Sequence, residues 1–333
     1  MAEAPSLAIS NTWGRAVRRG PTAEQVGLLI AIGALFVSLT IASPYFLDAQ
    51  NFRNLGTAIS YNGIIAATAA IVLISGGLDL SVGAVVALAG QAVAFGFTQA
   101  WSPWLAILLA LAVGVGCGLV NSLLIVGVGI NAIIVTIGSQ FVFRGLAFLW
   151  GGGGGGESTL IQNPVLVNLG NGKWLGVPVP VCVMLAVFLA MGVLLHLTRF
   201  GSDVYAIGGN RVAARLAGLR VGRTRTAVYV LSSVSAALAG VVLIGIQGAA
   251  IPTSAGGIEL NVLSAVIIGG ASLAGGRGSV FGALLGVLGL GMLANGINLL
   301  GVSAFWKQIS TGIALLLAVA IDDARRKRKE ARG

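Results

Sequence analysis

Across residues 54–143 the chain carries one charged side chain, Asp79. Only 9% of all 333 residues are charged and 56% are hydrophobic, against roughly 25% charged in soluble domains. A water-exposed fold could not cover that much apolar surface, so the composition implies a polytopic membrane protein. Apolar runs lie near 26–43, 58–75, 82–100, 104–127, 130–150, 178–198, 226–246, 260–274, 279–300 and 305–321. Most approach the roughly 20 residues that cross hydrocarbon as a helix. The run at 260–274 is short and Gly-rich, which suits a broken or re-entrant segment. Backbone groups in lipid must pair within their own segment. The expected fold class is therefore all-α: a polytopic transmembrane helical bundle of about ten spans. The 51 glycines show no three-residue period and suit helices that pack backbone to backbone.

The net charge of +10 is concentrated in places that imply a topology. Arg15, Arg18 and Arg19 precede the first run. Arg199, Arg211, Arg215, Arg220, Arg223 and Arg225 fill one loop, and Arg325, Arg326, Lys327, Arg328, Lys329 and Arg332 form the C-terminal end. Each patch flanks a span, and basic flanks face the cytoplasm. Six runs precede the basic loop and four follow it, so all three patches fall on one side. Eight spans plus one re-entrant hairpin would give the same parity. The expected organisation is a cytoplasmic segment 1–25, a membrane domain 26–322 with a cytoplasmic loop 199–225, and a basic cytoplasmic tail 323–333. The basic patches point to a membrane surface and not to nucleic acid. The first run is longer than the 7–15 apolar residues of a cleaved leader, so it reads as an uncleaved span.

Asp79 lies in Gly76-Gly77-Leu78-Asp79-Leu80-Ser81-Val82-Gly83. An ionised carboxylate deep in hydrocarbon costs at least a few kcal/mol, so it must face protein, water or the membrane edge. The glycines permit an unwound backbone, and helices broken around polar groups recur in transporters. The plainer reading is that Asp79 only caps the next span.

Enzymatic signals are missing. No His-Glu-x-x-His, Gly-x-Ser-x-Gly or metal-spaced Cys/His pattern occurs, and no catalytic or metal-ligating residue is expected. Six consecutive glycines open the loop 151–177, but Glu157 follows them and no Gly-x-x-x-x-Gly-Lys-Ser/Thr occurs. The run reads as a flexible connector. Cys117 and Cys182 both sit in apolar runs, where two small side chains pack.

Within the basic loop, Asn210 suits a helix N-cap and Gly218 a residue just past a helix end. About two helical turns fit between them. Val212 and Leu216 share one face, Arg211 and Arg215 another. So short a helix needs a partner surface, either lipid headgroups or another protein.

Four segments together resemble a known family. Gly76–Gly83 resembles the signature of sugar-type permeases of ATP-binding cassette importers. Ala206-Ile-Gly-Gly-Asn-Arg-Val-Ala-Ala-Arg-Leu-Ala-Gly-Leu219 is similar to that family's cytoplasmic coupling segment. Residues 265–282, Gly-rich around Gly275, Gly276 and Gly278, resemble its late motif, and residues 295–303 continue the match. Order and spacing agree across about residues 55–322. Members often carry an acidic residue just after the coupling Asn, whereas Arg211 and Val212 stand here.

The resemblance implies a bacterial inner-membrane, multi-pass permease that works as two copies, identical or closely paralogous. A cytoplasmic ATPase would grip the coupling segment at Gly208, Gly209, Asn210, Ala213, Ala214 and Gly218. A periplasmic binding protein would deliver sugar. Gly76, Gly77, Asp79, Ser81, Gly83, Gly275, Gly276 and Gly278 would form structural or gating motifs. ATP and Mg would sit on the ATPase, with no cofactor on this chain.

A sugar pathway needs amides and hydroxyls more than charges. Asn62, Asn121, Asn131, Gln140 and Asn295 lie at apparent membrane depth and are the pathway candidates, with helix-to-helix hydrogen bonding as the plain alternative. Other readings are a branched-chain amino-acid importer permease, an ion-coupled carrier using Asp79, Arg144 or Glu259, and a membrane interaction protein.

Overall fold

The computed structural model describes residues 23–151, 158–303 and 305–330. Nearly all the expected segment 1–25, most of the six-glycine run and the last residues of the tail lie outside them.

The helices are α1 (Ala23–Ala42), α2 (Ala49–Ile74), α3 (Val82–Thr98), α4 (Pro103–Ser122), α5 (Ala132–Trp150), α6 (Pro164–Asn171) and α7 (Val179–Leu197). They continue with α8 (Arg199–Gly209), α9 (Arg211–Leu216), α10 (Val221–Gln247), α11 (Ile258–Ile268), α12 (Val280–Leu299) and α13 (Phe305–Glu330). A π-helical turn, Leu123–Val128, prolongs α4. Among the described residues, seven helices are long and apolar enough to cross a membrane. Three shorter apolar helices lie at Val82–Thr98, Ile258–Ile268 and Gln308–Leu317. Each of the ten expected runs has its helix, so the all-α bundle holds. At 1.5 Å per residue α11 reaches only about 16 Å, half of the hydrocarbon thickness.

Boundaries follow local chemistry. Asp48 accepts the Gln50 amide at 3.1 Å, so α2 begins at Ala49 and not near residue 58. Polar Asn51, Arg53 and Asn54 hide this first turn from a hydropathy reading. Two other departures share that cause. Residues 199–209 form the helix α8, and α13 continues through the basic residues to Glu330, so no helix boundary falls at residue 322.

Two helices end alike. After α2, Gly76 (φ +71°) turns the chain: its N–H reaches Leu73 O at 2.9 Å and the Gly77 N–H reaches Val72 O at 3.0 Å. After α11, Gly270 (φ +93°) repeats the pattern on Ile267 O and Val266 O. Both are glycine stops in which a left-handed residue lets two amides satisfy the last carbonyls.

Contacts sort the helix ends onto two sides. At one, Gln25 at the start of α1 donates to Ser279 before α12 at 2.9 Å. The Gly276 N–H donates to Ile74 O at 2.8 Å on the same side, beside the basic loop. At the other, Thr159–Leu160 pairs with Ala249–Ala250, and Asn51 and Asn295 exchange amide hydrogen bonds of 2.8 and 3.2 Å. The strands Lys173–Trp174 and Val177–Pro178 form a small hairpin ahead of α7.

α2, α3 and α10 are buried along most of their length, and α1, α5 and α7 present apolar side chains outward. Small residues make the centre possible. A Cβ on Gly118 of α4 would lie 2.6 Å from Val230 Cα of α10. On Gly240 of α10 it would lie 2.5 Å from Val86 O of α3. Overpacking such a site costs about 1–3 kcal/mol. Gly118→Val should lower the melting temperature in detergent by several degrees. Gly116→Val, where nothing lies within 4 Å, should leave it unchanged.

Candidate functional site

The break between α2 and α3, residues 75–81, is held by a hydrogen-bond network. Asp79 Oδ1 accepts the Ser81 N–H at 3.0 Å and the Ser81 hydroxyl at 2.6 Å. Asp79 Oδ2 accepts the Ser232 hydroxyl of α10 at 2.8 Å. Ser81 Oγ in turn accepts the Asn121 amide of α4 at 2.9 Å. Ser81, Ser232 and Asn121 are fully buried. The carboxylate therefore faces protein and ties α10 to the break directly, and α4 to it through Ser81. It does not cap the first turn of α3 beyond Ser81.

Glycines crowd the same place. Gly77 packs so that a Cβ would lie 2.8 Å from Tyr229 Oη, and on Gly83 it would lie 2.5 Å from Glu259 Oε2. Gly275 (φ +85°) and Gly276 (φ +73°) turn against Gly76 and Gly208–Gly209. Gly278 packs on Ala271 and Ile74, and its carbonyl accepts the Tyr205 hydroxyl at 2.8 Å. Burial pushes the Tyr205 phenol up to about 12, so it keeps this proton at physiological pH. These segments, remote in sequence, meet at one end of the bundle.

In the basic loop, Asn210 Oδ1 accepts the Ala213 N–H at 3.0 Å, and Gly218 (φ +81°) follows the α9 helix. Gly209, Asn210, Ala213 and Gly218 are exposed. Ala214 is buried against Ile207 and Val221, and a methyl on Gly208 would overlap the Ile74 carbonyl oxygen. These two expected contact residues therefore face the protein's own interior. Val212 and Leu216 are 70% and 83% exposed, an apolar pair beside Arg211 and Arg215 on the same short helix. Their shared face was legible from the four-residue spacing.

At the opposite end a cavity of about 210 Å³ opens between α2, α11, α12 and α13. Among the described residues, Asn54, Asn62, Asn261, Asn295, Asn298, Tyr61 and Thr311 supply its polar lining, and none is charged. It is smaller than the roughly 300–1,000 Å³ of drug-sized pockets and fits a small solute. Asn62 Oδ1 is buried and accepts no hydrogen bond from the protein. Of the expected pathway residues only Asn62 and Asn295 line this cavity. Asn121 belongs to the Asp79 network, and Asn131 caps α5 through the Ile133 N–H at 2.9 Å. Gln140 donates to Glu259 Oε1 at 3.0 Å. Sequence reasoning missed Asn261 because it lies in the short run read as broken or re-entrant, and Asn54 and Asn298 because they lie at helix ends.

Arg144 Nη1 donates to the carbonyls of Pro252 and Ser254, both at 2.7 Å. Glu259 and Asp79 line a second cavity of only about 20 Å³ between α2 and α11. Asp79, Arg144 and Glu259 Oε1 thus make structural bonds, whereas Glu259 Oε2 is buried without a hydrogen-bond partner among the described residues.

Comparison with known proteins decides the family. The model of the branched-chain amino acid transport system permease component matches residues 51–319. The chain belongs to this family. The permease is 40% identical over 299 residues to the ribose import permease RbsC of Bacillus subtilis, covering 90% of this chain and 92% of that one. It is 37% identical to the ribose import permease RbsC of Escherichia coli K12, over 89% and 93% of the two chains. It is 38% identical to the L-arabinose transport system permease AraH of Escherichia coli K12, over 92% of both. No solved structure matches the permease.

Proposed function

We propose that this chain is the permease subunit of an ATP-binding cassette importer and forms the path of a monosaccharide of the ribose, xylose, arabinose or galactose class. The observation that carries the reading is the likeness to ribose and arabinose permeases over about nine-tenths of each chain. The asparagine-lined cavity supports it, because amides donate to and accept from sugar hydroxyls alike. The described lining offers no charged group, whereas an amino acid needs partners for two opposite charges.

The basic end is the cytoplasmic side by the positive-inside rule, in a bacterial inner membrane. There Val212, Leu216 and the exposed rim of α9 form the face for a separate ATPase, which carries ATP and Mg. The asparagine cavity opens to the outside, where a binding protein releases sugar. A second copy, or a close paralogue, completes the pore. The permease by itself hydrolyses nothing and moves solute only in that assembly.

Reconstitution tests this. The purified chain alone should neither turn over ATP nor bind sugar at micromolar concentration by calorimetry. With its ATPase and sugar-loaded binding protein it should carry a neutral pentose or hexose inward. A binding protein of different preference but compatible docking should shift the transported sugar. Tight sugar binding by the isolated permease, or ATP-independent uptake driven by an ion gradient, would overturn the reading.

A further inference from the structure

The coupling segment and the membrane break touch through bare backbone. A methyl on Gly208, at the end of α8, would overlap the carbonyl oxygen of Ile74, the last residue of α2. That oxygen accepts the Gly276 N–H at 2.8 Å, and the Gly208 methyl would lie 2.7 Å from the same nitrogen. On Gly275 a Cβ would stand 2.8 Å from both Gly208 O and Gly76 Cα, and on Gly276 it would stand 2.9 Å from Gly209 Cα. Gly76, Gly275 and Gly276 all have positive φ, so each is a glycine for conformation as well as for space. Three segments far apart in sequence meet here with no side chain between them.

Both sides of this joint are firmly tied. Outward, Ile207 of α8 packs with Ala214 of α9 and Val221 of α10, and Asn210 caps α9. Inward, the break that begins at Ser75 carries Asp79, bonded to Ser232 of α10, and Ser81, bonded to Asn121 of α4. Close-packed backbone has little compliance, because interiors pack at crystal density. A displacement of α9 cannot be taken up by rotamer changes at the joint.

We propose that Gly208, Gly275 and Gly276 form a backbone joint that passes movement of α9 directly to the α2–α3 break, which makes Gly208 a positioning residue for transport. The inference rests on the reading of α9 as the ATPase face and adds where that movement goes. The late Gly-rich motif then serves as the third leaf of the joint and not as part of the sugar path. Spatial adjacency alone does not establish coupling, so the test must read coupling itself.

In proteoliposomes holding the complete importer, Gly208→Ala should leave association of the ATPase within about twofold of the unaltered complex. It should lower sugar molecules moved per ATP hydrolysed at least about tenfold. Gly192→Ala on α7, remote from the joint and with nothing within 4 Å of its Cβ, should lower that ratio far less. Equal effects of the two variants, or an unchanged ratio in Gly208→Ala, would overturn the joint. Hydrogen exchange on the unaltered complex keeps the proposal testable if Gly208→Ala fails to fold. Replacing ADP by a non-hydrolysable ATP analogue should change the exchange of residues 75–81 and 270–278 together. A change at α9 without one at residues 75–81 would overturn the joint while leaving the ATPase face intact. Failure of the unaltered permease to associate with any ATPase would overturn both.

Discussion

Asp79→Ala should reduce sugar uptake by the assembled importer at least about tenfold while the permease still inserts and still holds its ATPase. The carboxylate accepts three hydrogen bonds, two from Ser81 and one from Ser232. Bonds to a charged group contribute about 1.5–3 kcal/mol each. Alanine leaves the two hydroxyls without their acceptor, and Ser81 then holds Asn121 less firmly. The break between α2 and α3 loses its fixed shape, whereas the long helices around it keep their packing. Asp79→Asn should fall between the two, because its oxygen still accepts from Ser81 and its amide can donate to Ser232. Uptake and ATPase pull-down on the same membranes read both quantities. Full uptake by Asp79→Ala would mean that the break needs no polar clasp. Uptake that collapses with an uncoupler at constant ATP would instead assign Asp79 to proton coupling.

The double change Val212→Asp, Leu216→Asp should weaken ATPase association at least about a hundredfold, with the isolated permease as stable as before. Both side chains stand in the open, so the fold has no use for them. A fully desolvated apolar anchor at an interface is worth about 2 kcal/mol or more, and each 1.4 kcal/mol is tenfold in affinity. Ala214→Glu behaves differently. It forces a charge between Ile207 and Val221, so it should disturb the loop itself as well as any partner contact. Sedimentation or pull-down separates the cases, since only Ala214→Glu should also lower the melting temperature. Undiminished association of the double variant would leave α9 lying on lipid.

Much of the architecture was legible in the sequence because the bilayer imposes a local rule. A helix must be apolar over its own length to cross hydrocarbon, so ten runs could be read one by one. Boundaries at α2, α8 and α13 slipped where polar or basic residues continue a helix beyond its apolar stretch. The Asn210 cap and the Val212–Leu216 face were also legible, since both are short-range patterns.

The sites are another matter. The Gly76–Gly83 motif announced a break, but nothing along the chain says that Ser232 bonds Asp79 across 153 residues and Asn121 bonds Ser81 across 40. Nor does the chain say that Asn62 and Asn295 share a cavity with Asn261 while Asn131 and Gln140 do not. An asparagine in an apolar run carries the same signal whether it caps a helix, bonds a neighbour or lines a path. The sequence by itself determined that this is a membrane-spanning helical chain, basic on one side and broken at Asp79, because hydropathy, charge and capping act over a few residues. Tertiary packing decided which glycines meet, which amides face the cavity and which faces of α8 and α9 turn inward. Those choices depend on how helices hundreds of residues apart approach one another.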